Sequence, residues 1–235
     1  MRAMLVTLLA LGSTLALAGA KPEKSSEEQT KEAKETKETK ELKGPKKAPN
    51  YRATLKTTKG DIVLTLLSED APDTVANFVQ LAQGDRPWKD KDGRWVAKPF
   101  FNGLTFCRIE KDILIQGGDP KGDCTGGPGY RFRDEISQKL RFDQPGMVAM
   151  ANNGRNTNGS QFFITLAPLP NLDGFHTIFG TVATGIDLVK TIGGMPAVAL
   201  PVAGADTHLA KDPVVIESVV IEEIKEAPKA KKAED

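Results

Sequence analysis

The sequence predicts a mainly β fold, an antiparallel sandwich or barrel carrying two helices, and three observations lead there. Short apolar or alternating runs recur from residue 51 to 225, Gly and Pro clusters separate them, and only two stretches place apolar residues at helical spacing. Successive parallel strands need a long crossover, usually helical, and too few helices are on offer for that. A closed barrel capped by two helices would also dispose of exposed sheet edges.

The elements follow in order. Tyr51, Ala53 and Leu55 alternate onto one face, Lys59-Gly60 makes a turn, and Ile62, Leu64 and Leu66 share a face of the next segment, which predicts a β-hairpin. Pro72, just after Asp70, opens a helix on which Val75, Phe78, Val79 and Ala82 form an apolar stripe ending at Gly84. Further strand-like runs lie at 104–109, 113–115, 147–151, 161–165, 177–182 and 214–224, and 186–192 supplies the second helix. In Gln161-Phe162-Phe163-Ile164, period two puts Gln161 and Phe163 on one face and Phe162 and Ile164 on the other, so one face can serve a site while the other packs the core.

The ends are of another kind. Residues 1–20 read as a signal peptide, with Arg2 at a cationic start, an apolar stretch from Leu5 to Leu17 interrupted by Gly12-Ser13-Thr14, and Ala18-Gly19-Ala20 fitting the small-x-small cleavage rule. That stretch is shorter than the ~20 apolar residues a spanning helix needs. Residues 21–50 hold nine Lys and seven Glu but only Ala33, Leu42 and Ala48 as apolar side chains, so they cannot bury a core and are read as a disordered tether. A charged tail, 226–235, closes the chain. The intervening region, 51–225, is long enough for one domain burying roughly 70% of its unfolded surface.

Composition excludes several functions. Cleavage after Ala20 removes one of the 32 basic residues and none of the 31 acidic ones, leaving the two equal and predicting no steering to nucleic acid or acidic membrane. Cys107, Cys124, His176 and His208 have no zinc-ligand spacing, so no metal is expected. Ser160, Asp173 and His176 could name a hydrolase triad, but Asn158-Gly159-Ser160-Gln161 lacks a nucleophile elbow. Gly117 to Gly129 lacks the GKS or GKT ending of a phosphate cradle.

Three segments carry a specific signal: FCRIEKDILIQGGDP (106–120), MANNGRNTNGSQFFI (150–164) and LDGFHTIFG (172–180). Together, in order and spacing, they resemble the signature blocks of cyclophilins, and the resemblance spans nearly all of 51–225. It implies a closed eight-stranded antiparallel β-barrel capped by two α-helices, with a proline-binding groove on its outer surface. It also implies a peptidyl-prolyl cis-trans isomerase working without cofactor or metal on proline-containing, unfolded or partly folded polypeptides.

By position, the resemblance makes Arg108 the catalytic arginine, which in isolation would read as a strand arginine in a surface ion pair. It assigns Gln116, Asn152 and Gln161 to holding the peptide backbone or orienting the arginine. Ile113, Leu114, Phe163, Leu172 and His176 would line the proline pocket, and Cys124, Ala151, Asn153 and Asn171 complete the substrate-binding set. Members commonly carry Phe and Met where Ile113 and Leu114 stand, Gly where Cys124 stands, a small residue where Asn153 stands, and often Trp where Asn171 stands. The pocket should stay apolar with less aromatic area, and cyclosporin should bind weakly.

Cys107 and Cys124 are expected to be free thiols, because alternation aims Cys107 at the core while Cys124 sits in a loop beside the groove. The overall expectation is a monomeric isomerase for exported proteins, periplasmic or secreted and not stably inserted in a membrane. The competing reading is a proline-peptide binding module or chaperone with weak catalysis, since binding needs only the groove and turnover also needs Arg108.

Overall fold

The structure, a computed structural model, describes residues 50–200 and 207–224. The leader, the tether except Asn50, and the charged tail lie outside them. β1 (Asn50–Thr57) and β2 (Gly60–Leu66) pair antiparallel, Tyr51 opposite Leu66 and Thr57 opposite Gly60, about the turn at Lys59-Gly60. Their alternation puts Ala53, Leu55, Ile62, Leu64 and Leu66 into the core.

Helix α1 (Pro72–Gln83) follows. Proline fits its first turn because the missing N–H would have no helical partner there. It ends at Gly84, whose left-handed φ of 86° favours a residue without a Cβ, and whose N–H bonds back to the carbonyls of Gln80 and Leu81. From its buried face Phe78 packs on Phe101, Phe179 and Phe162 at ring-centre distances of 4.8, 5.5 and 5.7 Å.

The remaining strands are β3 (Trp88–Lys89), β4 (Trp95–Val96), β5 (Leu104–Thr105), β6 (Arg108–Glu110), β7 (Leu114–Gly117), β8 (Met147–Met150), β9 (Phe162–Thr165), β10 (Ile178–Thr184), β11 (Ala197–Leu200), β12 (Thr207–Ala210) and β13 (Val215–Ile224). The second helix, α2 (Ile186–Gly193), falls where the sequence placed it. The hairpins β3–β4 and β11–β12 form two separate small sheets. Strands of two to four residues are too short to leave a legible alternation.

The main sheet has nine strands in the order β5-β13-β1-β2-β10-β8-β9-β7-β6. β5 and β6 stand at opposite ends of that order yet are separated in sequence only by Phe106 and Cys107, so the sheet curls back on itself. In place of the expected closed ring of eight strands stands a curled nine-stranded sheet, antiparallel and accompanied by two helices, whose end strands β5 and β6 do not pair with each other. The single strand expected over 104–109 is split, because Phe106 and Cys107 leave the ladders and turn inward, 1% and 0% exposed.

Two apolar clusters result. The larger fills the inside of the sheet and includes Phe78, Phe101, Phe162 and Ile164. The smaller holds Leu114, Phe142, Met147, Ala149, Phe163 and Ile178, with Ala151, Leu169 and Leu172 packed against it. β9 thus divides as period two requires, with Phe162 and Ile164 in one cluster and Phe163 in the other.

Candidate active site

A groove of about 390 Å³ opens over the second cluster, and every site residue singled out from the sequence lines it. Its apolar end is built on Phe163, which stacks at 5.8 Å on Phe142 and meets the edge of His176 at 5.3 Å. Leu114 and Leu172 extend that surface, and Ile113 stands at its rim, 42% exposed. His176 Nδ1 donates to the Met150 carbonyl at 2.9 Å, which fixes the ring against β8.

The polar wall is a chain of contacts. Arg108 Nη1 reaches Gln116 Oε1 at 3.4 Å, Gln116 Nε2 donates to Gln161 Oε1 at 2.7 Å, and Gln161 Nε2 donates to the carbonyls of Cys124 and Gly126 at 3.2 and 2.8 Å. Gln116 and Gln161 are brought together because β7 and β9 pair, Gln116 lying opposite Phe163. Arg108 Nη2 donates to the Glu110 carboxylate, and the arginine side chain stays 32% exposed. The bland surface-pair reading is thus half right, since the partner exists but lies in the groove wall.

The loop carrying Cys124 is shaped by Asp119, 1% exposed, whose carboxylate accepts the N–H groups of Lys121 and Asp123 at 3.0 and 3.1 Å. Gly126 is required beside it, because a Cβ there would stand 2.1 Å from Asp119 Oδ1. Within the loop the Thr125 hydroxyl and N–H both bond Asp123, holding its carboxyl below the usual range. Tyr130 donates from its hydroxyl to Asn77 Oδ1 at 2.7 Å, and Asn77 Nδ2 donates to the Gly159 carbonyl at 3.0 Å, so α1 anchors the far side of the groove. Burial pushes the Tyr130 hydroxyl above its ordinary pKa, against the opposing influence of Arg86.

One expectation changes. Cys107 and Cys124 form a disulfide, their Cα atoms 5.6 Å apart, and no free cysteine is present among the described residues. Cys107 does point inward, at 0% exposed, but Cys124 takes a left-handed φ of 63°, which lets the loop aim its sulfur back at Cys107. Asn152 lines the groove, its Nδ2 donating to the Phe175 carbonyl at 2.9 Å and its Oδ1 accepting from the Gly154 N–H at 3.2 Å, which stiffens the loop it belongs to.

Sequence reasoning passed over Glu110 and Tyr130. Period two already placed Glu110 on the face of Arg108, whereas nothing local marks Tyr130. The hydrolase reading fails on geometry. Ser160, 2% exposed, donates its hydroxyl to the Gly118 carbonyl at 2.7 Å, and Asp173 accepts from the Phe142 N–H at 2.8 Å, so neither engages His176.

Comparison with known proteins places the chain in a family. Residues 52–223 match the family model of cyclophilin type peptidyl-prolyl cis-trans isomerases. Peptidyl-prolyl cis-trans isomerase B of Streptomyces anulatus is 47% identical over 178 residues, 74% of this chain and 98% of the relative. A probable peptidyl-prolyl cis-trans isomerase A of Mycobacterium leprae is 45% identical over 173 residues, 73% of this chain and 92% of the relative. A crystal structure of a cyclophilin type isomerase from Cryptosporidium parvum superposes with a TM-score of 0.62 at 30% identity, covering 75% of this chain and 99% of that one. The same protein, crystallised in the presence of the dipeptide Ala-Pro, gives 0.61 at 30% identity over 74% of this chain and 99% of that one. The chain belongs to the cyclophilin-type peptidyl-prolyl cis-trans isomerases.

Proposed function

We propose that this isomerase seats the proline of an X-Pro peptide on the apolar surface of Phe163, Leu114, Leu172 and His176, and that Arg108 stabilises the twisted imide. Amide resonance alone restrains the bond, with a barrier of about 18–20 kcal/mol. Uncatalysed rotation takes roughly tens to hundreds of seconds, slow enough to limit folding. In the twisted state the prolyl nitrogen becomes pyramidal and regains a lone pair that can accept a hydrogen bond. A fixed donor therefore favours the transition state over the planar ground states, with no nucleophile, acid or metal required.

The observation that carries the reading is the placement of the partly exposed Arg108 guanidinium, beside Gln116 and Gln161, on the wall of the same groove whose other end is an apolar pocket. The Ala-Pro dipeptide used with the Cryptosporidium relative is in keeping with it. The curled sheet, whose ends meet through Phe106 and Cys107, is in turn read as the family's eight-stranded barrel.

Export rests on two further observations. The leader ending at Ala20 fits a signal peptidase site, and the Cys107–Cys124 disulfide suits an oxidising compartment, periplasmic or extracellular. The enzyme is read as a monomer acting on exported polypeptides, with weak affinity for cyclosporin. A protease-coupled or NMR exchange assay of the full chain on an X-Pro peptide tests the activity; N-terminal sequencing from the cell envelope or medium tests export, with Lys21 expected first.

A further inference from the structure

The guanidinium of Arg108 has one close tie. Its Nε is buried without a partner, its Nη1 contact to Gln116 is long at 3.4 Å, and only Nη2, bonded to the Glu110 carboxylate, is held at short range. Gln116 cannot tighten its own contact freely, because its Nε2 is committed to Gln161 at 2.7 Å and Gln161 is committed in turn to the loop carbonyls. The direction in which Arg108 points into the groove therefore depends on Glu110.

Glu110 is well placed for this. In β6 the middle residue, Ile109, is buried at 3%, so Arg108 and Glu110 both project to the opposite face. The Glu110 carbonyl accepts the Ile113 N–H at 3.0 Å, and Glu110 pairs across the ladder with Leu114, which fixes its backbone at the turn into β7. The Glu110 side chain is 22% exposed and lines the groove. A long arginine side chain without such a partner would sample rotamers that carry its head into solvent.

We propose that Glu110 is a positioning residue for the isomerisation, holding the Arg108 guanidinium in the orientation that meets the prolyl nitrogen as it becomes pyramidal. This rests on the reading of Arg108 as the donor. The planar imide offers that donor no nitrogen lone pair, so a loosened guanidinium costs turnover more than ground-state affinity. A role in folding alone would leave no such asymmetry.

The test is a double-mutant cycle on the full chain, with kcat and KM measured separately on an X-Pro peptide by NMR exchange. Glu110→Ala is expected to lower kcat about tenfold with KM within about twofold, while Glu110→Gln, which keeps an acceptor of the same reach, loses less. In an Arg108→Ala background, Glu110→Ala should change residual kcat less than about twofold. Near wild-type kcat for Glu110→Ala, or an undiminished loss in the Arg108→Ala background, would overturn the proposal while leaving Arg108 itself in place. Full activity in Arg108→Ala would remove the reading beneath it.

Discussion

Cys107, which points away from its neighbour Arg108 into the core, is covalently joined to Cys124 of the groove-lining loop, their Cα atoms 5.6 Å apart. The bond ties the strand of the arginine to the loop whose carbonyls hold Gln161. Closing a loop with a sequence separation of 17 residues restricts the unfolded chain by about 3 kcal/mol. Replacing both cysteines by alanine, or adding a reductant, is expected to lower unfolding stability by about 2–4 kcal/mol in denaturant titrations. Thiol counting in denaturant without reductant should find none, and two would contradict the bond.

The pairing was not legible because strand alternation gives the direction of Cys107 but not the path by which a glycine-rich loop returns to it. That path depends on a left-handed Cys124 and on the buried Asp119, neither of which has a local sequence signal. Where order is local, the sequence sufficed: the first hairpin, α1, α2 and the two faces of β9 follow from periodicity alone. The residues that line the groove were legible by a different route, through family-like blocks around Arg108, Gln161 and His176. Glu110 was missed because those blocks carry no role for it, although its period-two relation to Arg108 was visible.

Asn171 stands exposed at the groove rim, on the short turn Pro170–Leu172, where a large ring could cover the apolar surface beside Leu172. Asn171→Trp is expected to tighten cyclosporin binding by about tenfold, through added apolar contact and an indole donor. Titration calorimetry or fluorescence on the full chain measures it. Unchanged affinity would shift attention to Cys124 as the residue limiting the inhibitor.

Tyr130 gives an alkaline signature. Burial raises its folded pKa above the ordinary value near 10, so the folded state holds the phenolic proton more tightly than the unfolded chain does. The resulting stability is complete below about pH 10 and is lost as pH rises through the folded pKa. Tyr130→Phe should flatten that part of the decline, and should lower stability at neutral pH by about 1 kcal/mol through the lost bond to Asn77. Denaturant titrations of both proteins between neutral pH and about pH 11 check it, and identical slopes would show that another group governs the alkaline limb.

Arg108 carries the central claim. Arg108→Lys supplies charge without the planar fork of donors and is expected to restore only part of what alanine loses. The direct measurement is the isomerisation rate of Arg108→Ala beside its affinity for an X-Pro peptide, after circular dichroism shows the fold intact. The account predicts a fall in kcat/KM of about two to three orders of magnitude, equivalent to about 3–4 kcal/mol, with a much smaller fall in peptide affinity. Equal losses in rate and affinity would mean that Arg108 only binds substrate, and would contradict it.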